Sequence, residues 1–275
     1  MSEKSAVISI GDLHINSKVA LSPPRVQLDE GGSYHASDEQ RWIYRAWLEF
    51  CAKVKDDTEG YRRIVAIGGD AAELDAKNRT HQLITRHRPT IKDMVIETLD
   101  PITSIADAVY VIRGTPAHTG KGAYFEEFIA DDLDNAVHDK DAKSWWHVRR
   151  VASGVRFDIA HHASMGSLPW TEKNAANKIA KIIVDRYMID MEQKPPDVAF
   201  RFHNHRWNDS FDNFKTRVIC MPCWSMATEH LYRIGKENSI ADIGGAVTFC
   251  EDGEYEVKKY KYIPPKARRV WALKM

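Results

Sequence analysis

Five short apolar runs, each stopped by aspartate, histidine or glycine, constrain this chain more than any other feature of its sequence. Ala6 to Ile10 runs into Gly11-Asp12-Leu13-His14, and Ile64 to Ile67 into Gly68-Gly69-Asp70. Ala108 to Ile112 ends in Arg113-Gly114-Thr115-Pro116-Ala117-His118. Val155 to Ala160 ends in His161-His162, and Val198 to Phe202 in His203-Asn204-His205. Each run is β-branched or aromatic and has the length of a strand buried in a sheet.

Helical patterns separate these runs. Ser37 to Lys55 opens with a Ser-x-x-Gln capping box, Ser37 and Gln40, and carries Trp42, Ile43, Ala46, Trp47 and Phe50 on one face. Thr90 to Leu99 follows Pro89 and is expected to end near Pro101. Tyr124 to Leu133 is a weaker pattern. Glu172 to Met191 is the longest, with Ile179, Ile182, Ile183, Tyr187 and Met191 at helical spacing. Strands alternating with helices predict an α/β fold whose ligands gather beyond the strand ends.

The last third changes character. Arg217 to Cys220, Ala246 to Cys250 and Tyr255 to Tyr262 read as strands, the last two joined by the hairpin signal Glu251-Asp252-Gly253. They predict a second, mostly antiparallel sheet packed on the first. With no repeat, linker or break in composition, a single domain over 1–275 is the simplest expectation, with a basic tail from about 258 onward. In that tail Lys258, Lys259, Lys261, Lys266, Arg268, Arg269 and Lys274 form either a solvated face or a docking arm.

Composition excludes little. Lys and Arg number 39, as do Asp and Glu, so net charge is silent on a polyanionic partner, which a local patch can still bind. No stretch approaches the ~18 apolar residues of a membrane span. The N-terminus lacks a signal-peptide pattern, and the 4 cysteines are too few for a disulfide framework, so a cytoplasmic setting is expected. Cys220-x-x-Cys223 has the spacing of half a zinc site, but Cys51 and Cys250 offer no second pair, and a strand end is the simpler reading.

A sheet's strand ends form a rigid rim on which side chains distant in sequence converge. Mixed carboxylate and imidazole sets suit Mn, Fe, Zn or Ni. A carboxylate shared by two ions holds them about 3.5–4 Å apart, as in two-metal hydrolases. Asp70, alone after two glycines that permit a tight turn, is the candidate bridge.

The order of blocks, D-x-H, G-D, G-(N)-H, H and H-x-H, resembles the calcineurin-like metallophosphoesterases, and the resemblance spans residues 6 to 207. It implies a layered α/β/β/α sandwich of two mixed sheets flanked by helices, with the active site at the strand C-terminal ends. It also implies two divalent metal ions, manganese foremost. Asp12, His14 and His205 would hold one ion, His161 and His203 the other, and Asp70 would bridge. His162 competes with His161, which is preferred because it directly follows the strand. Where the family has Gly-Asn-His, this chain has Gly114-Thr115-Pro116-Ala117-His118, so Thr115, His118 or a water is left to complete the second site. His118 is the candidate donor of a proton to the leaving oxygen. The family's glycine before His-x-His is Phe202 here. The Gly-Thr-Pro-x-His variant, with Cys220-Met221-Pro222-Cys223-Trp224, is similar to members encoded by bacteriophages and prophages.

The expected activity is therefore phosphoester hydrolysis, foremost as a phosphodiesterase or nuclease on nucleic acid or nucleotides. A phosphomonoesterase and a non-catalytic module with a degraded second site are the alternatives. Lys77, Arg79, His81, Arg86, His87 and Arg88 form a basic loop after Asp70 that could meet phosphates, and Trp145, Trp146 and Trp170 could stack bases. The apolar helix faces permit a homodimer without requiring one.

Overall fold

The computed structural model describes residues 3–74, 82–162, 174–227 and 241–264. In chain order the strands are β1 (Lys4–Ile10), β2 (Arg25–Gln27), β3 (Ser33–His35), β4 (Arg62–Ile67), β5 (Ala108–Val111) and β6 (His147–Ala152). They continue as β7 (Val155–Ala160), β8 (Val198–Arg201), β9 (Asn208–Asp209), β10 (Arg217–Cys220), β11 (Ile243–Glu251) and β12 (Glu254–Tyr262). The α-helices are α1 (Asp38–Asp57), α2 (Arg88–Thr103), α3 (Pro116–Thr119), α4 (Phe125–Asp131) and α5 (Ala175–Asp185), the last running on into a π-helical turn, Arg186–Asp190.

Two five-stranded mixed sheets face each other, ordered β12-β11-β1-β4-β5 and β6-β7-β8-β10-β9. In the first, β1, β4 and β5 are parallel, and in the second β7, β8 and β10 are parallel. Side chains alternate across each strand, so one strand serves two layers. Ile8, Val65 and Ile67 point to a core shared with Trp47, Phe50, Val95 and Leu99 of α1 and α2. Their neighbours Val7 and Ala66 point the other way, to Phe157, Val198, Phe200 and Phe202 between the sheets. On the far side of the second sheet, Ala199 and Val218 meet Ala176, Ile179 and Ile183 of α5. The layers are therefore helix, sheet, sheet, helix, as expected from the resemblance.

Two local expectations change. The strands of the last third do not form a sheet of their own. β11 pairs antiparallel with β1, from Lys4↔Glu251 to Ser9↔Ala246, and carries β12 as the edge of the first sheet, while β10 joins the second sheet parallel to β8. The hairpin signal is real, since Asp252 and Gly253 take φ of 50° and 86°, but a hairpin specifies its own pairing and not the sheet it joins. Likewise α2 does not end near Pro101 but continues through it to Thr103. Only one amide is lost so close to the end, and Ile102 is fully buried. The capping box of α1 forms as expected, with Gln40 N donating to Ser37 Oγ and Ser37 N to Gln40 Oε1, both at 3.2 Å. Trp170, Lys77, Arg79, His81 and the tail from residue 265 lie outside the described residues.

Candidate metal centre

The strand ends of β1, β4, β7 and β8 meet at one rim, and the chain turns sharply at five of the candidate ligands. Asp12, His14, Asp70, His203 and His205 have φ of 49°, 47°, 48°, 74° and 56°. This left-handed region costs a non-glycine residue on the order of 1 kcal/mol, is less unfavourable for Asp and His, and is concentrated at functional sites. The neighbouring backbone holds the turns. Asp12 N donates to Gly69 O and His14 N to Asp70 O, both at 2.9 Å, and Trp224 N donates to Asp12 O at 3.0 Å. His203 N donates to Asp12 Oδ2 at 2.8 Å, tying the fifth block to the first.

Gly68 and Gly69 serve close approach. A Cβ on Gly69, itself at φ 90°, would lie 2.6 Å from His161 Nδ1. A Cβ on Gly68 would lie 2.3 Å from the ring of Phe202. That ring is fully buried over the glycines, so the bulky residue before His-x-His fills a space the rim leaves open.

On this frame the side chains form connected groups of donors. Asp12, His14 and His205 make one, Asp12, Asp70 and His161 a second, and His161, His162 and His203 a third, with the donor atoms of each within 4.8 Å of one another. His205 Nε2 lies 3.2 Å from His14 Nε2 and 3.3 Å from Asp12 Oδ1. His161 Nδ1 donates to Gly68 O at 2.6 Å, which fixes the tautomer and leaves the Nε2 lone pair facing Asp70 Oδ2 at 3.2 Å. Asp12 Oδ1 and His161 Nε2 are buried without a hydrogen-bond partner. Buried electron-pair donors left open at the junction of three groups are what a cation site requires, and the set fits a pair of divalent ions. His161 is buried inside this junction, whereas His162 stands exposed at its rim, 5.1 Å ring to ring.

The electrostatics agree. Burial alone would raise the carboxyl of Asp70, but His161 holds it well below the usual carboxylate range. Burial likewise opposes ionisation of Asp12, and His205 outweighs it. Against burial, the carboxylates raise His161 to about 9, while Cys223 and Asp12 lift His205 well above an ordinary histidine. Burial lowers His14 and His203. Carboxylates this deeply buried favour a positive charge at the junction.

Thr115 begins the α3 turn, and its N–H donates to Asp70 Oδ1 at 2.6 Å. Its hydroxyl lies 3.1 Å from each Asp70 oxygen and donates to that carboxylate. The position that is Asn in the family pattern thus supports the candidate bridge. His118, three residues on, has Nδ1 2.6 Å from Glu73 Oε2. The same oxygen is 3.2 Å from His14 Nδ1, so Glu73 joins a candidate ligand to the candidate acid.

Sequence reasoning missed Glu73. The signal was a carboxylate three residues after Asp70, but nothing in Ala71-Ala72-Glu73 tells which way that side chain faces. It missed Glu126 too, fully buried on α4, whose carboxyl burial and the charge of Asp70 push up to about 8.

Other predicted features lie outside these donor groups. Arg88 stacks over Tyr124 at 5.4 Å, and His87 pairs with Thr90. Trp145 is buried and donates to Val137 O, whereas Trp146 is half exposed beneath Arg113. All 4 cysteines are buried and free, and Cys220 ends β10, the strand-end reading. No described helix is long and apolar enough to cross a membrane.

No family model and no curated protein matches the sequence. Among solved structures, the chain is similar to a dimetal phosphatase from Danio rerio at 8% identity and TM-score 0.49, covering 93% of this chain and 95% of that one. It is also similar to a single-mutant Vps29 from Entamoeba histolytica, at 11% identity and TM-score 0.40 over 94% and 99% of the two chains. For a 5'-nucleotidase from Candida albicans the values are 9% and 0.42, over 90% of this chain but 47% of that one. The helix–sheet–sheet–helix layering, and the blocks that the strand ends bring to one rim, are those that the resemblance to calcineurin-like metallophosphoesterases implies.

Proposed function

We propose that this chain hydrolyses phosphoesters with the help of two divalent metal ions, and that its substrate is a phosphodiester of nucleic acid or nucleotides. The observation that carries the reading is the pair of buried, unpartnered donors, Asp12 Oδ1 and His161 Nε2, amid the remaining Asp and His donors. Asp12, His14 and His205 would hold one ion, His161 and His203 the other, and Asp70 would be shared. Thr115 supports Asp70 through its N–H and hydroxyl, and its oxygen is the nearest replacement for the Asn carbonyl of the family pattern. Bound there, two ions supply Lewis-acid charge for phosphoryl oxygens and lower the pKa of a water nucleophile.

The chain's own contribution to the leaving group is His118. Burial pulls its imidazole down, but the hydrogen bond and charge of Glu73 more than offset that, so it sits above the ordinary histidine value. With Nδ1–H donated to Glu73, Nε2 is left to carry a proton to the leaving oxygen. A protonated imidazole near neutral pH matters most for a poor leaving group, such as the ribose alkoxide of a nucleic-acid diester.

Hydrolysis of bis-p-nitrophenyl phosphate against p-nitrophenyl phosphate with added Mn tests this. The diester is expected to be preferred. Monoester preference would replace the substrate reading with a phosphomonoesterase, and no turnover with Mn, Fe, Zn or Ni would leave a binding module.

A further inference from the structure

Trp145 and Trp146 are adjacent in sequence and have opposite surroundings. Trp145 is buried with its indole N–H on Val137 O, whereas Trp146 is 51% exposed. Trp146 stands where the two sheets approach each other at the rim. On one side, Arg113 N donates to Trp145 O at 2.8 Å and Trp145 N to Val111 O at 2.8 Å, which lays this segment along the end of β5. The residue after Arg113 is Gly114, which passes so close to Asp70 that a Cβ on it would strike the carboxylate. On the other side, β6 opens with His147, paired in register with Ala160, the residue before His161. Trp146 therefore links the backbone beside Asp70 to the strand end that carries His161.

The ring is held in place. The Arg113 guanidinium lies over it, 5.0 Å from the ring centroid. That guanidinium is itself fixed: Nε donates to Ser144 Oγ at 2.9 Å, and a terminal nitrogen donates to Glu127. The Ser144 hydroxyl closes the set by donating to the same Glu127 oxygen at 2.8 Å. Glu127 neutralises Arg113, so the arginine orients the ring and leaves phosphate to other groups. A half-solvated indole contributes only part of its apolar area to folding. Held rigid at the mouth of a cleft, it offers the flat aromatic surface on which a base stacks.

We propose that Trp146 is the stacking platform for a nucleobase of the substrate. A base inside a duplex has both faces covered, so the occupant is an unpaired base, that of a single strand or of a nucleotide diester. The inference rests on the diester reading above and adds to it a base subsite beside the candidate metal centre.

Two p-nitrophenyl phosphodiesters test it, one of thymidine and one of methanol, because they share a leaving group and only the first carries a base. With added Mn, wild type is expected to favour the thymidine ester, chiefly through a lower KM. Trp146→Leu is expected to cut the ratio of the two kcat/KM values about 10–100-fold, and Trp146→Phe, which keeps a ring, to restore most of it. An unchanged ratio in Trp146→Leu would overturn the subsite and leave the diester reading intact. Binding separates the opposite failure. A phosphorothioate oligothymidylate that resists hydrolysis and carries one fluorescent aminopurine is titrated with protein and Mn. Wild type is expected to quench the aminopurine and Trp146→Leu to lose most of that quenching. Quenching without turnover of either diester would uphold the subsite and overturn the hydrolytic reading. No quenching by wild type, or equal quenching by Trp146→Leu, would overturn the subsite.

Discussion

The two halves of the candidate metal centre are built differently. Around Asp12, His14 and His205 the side chains are tied to neighbouring groups. Asp12 takes the His203 N–H on Oδ2, His14 is braced by Glu73, and His205 Nε2 lies 3.3 Å from Asp12 Oδ1. Around His161 and His203 the support is thinner. His161 is fixed by Gly68 O, but His203 and His162 are exposed, and Thr115 stands where the family pattern has an amide. The difference teaches that a preorganised half can carry charge and geometry while the open half meets solvent and substrate.

The largest expected effect is on the group both halves share. Asp70→Asn should reduce hydrolysis on the order of a thousandfold in steady-state assays, with DNA cleavage vanishing; cleavage that persists would mean that Asp70 is not the bridge. Next comes the acid. His118→Ala should lower kcat about a hundredfold or more on an alkyl phosphodiester and much less on a p-nitrophenyl ester, with Mn binding unchanged. Full activity on the alkyl ester would remove His118 from the mechanism. Because Glu73 lifts the pKa of His118, the rate should fall as pH rises through that raised value. Glu73→Gln should shift this alkaline limb to lower pH, and an unmoved limb would separate the two residues.

The comparison of halves is broken or sharpened by His205→Ala and His203→Ala. The first should abolish the tighter Mn event in calorimetry and the second the weaker one; the reverse order would invert the comparison. The smallest effect is expected from Thr115→Asn, which returns an amide oxygen to the open half. We expect Mn affinity there to rise several-fold, about 1 kcal/mol, if the longer side chain keeps its amide N–H on Asp70.

Much of this was legible in the chain because the candidate ligands stand just past the ends of strands. A strand announces itself by a local run of β-branched residues, so Asp12, Asp70, His161 and His203 could be placed without knowing which strands are neighbours. The capping box of Ser37 and Gln40 was legible for the same reason. Where a choice depended on a partner far along the chain, local pattern was silent. Period-2 alternation in β11 and β12 looks the same in either sheet, and only the pairing with β1 decided between them.

The sequence by itself determined the kinds of donors, their order and the rim on which they stand, because these follow from short-range periodicity. Tertiary structure alone decided that Glu73 reaches His118 and that Thr115 gives its hydroxyl to Asp70. Those contacts join residues 45 positions apart. They depend on left-handed turns and side-chain directions that neighbouring residues do not encode.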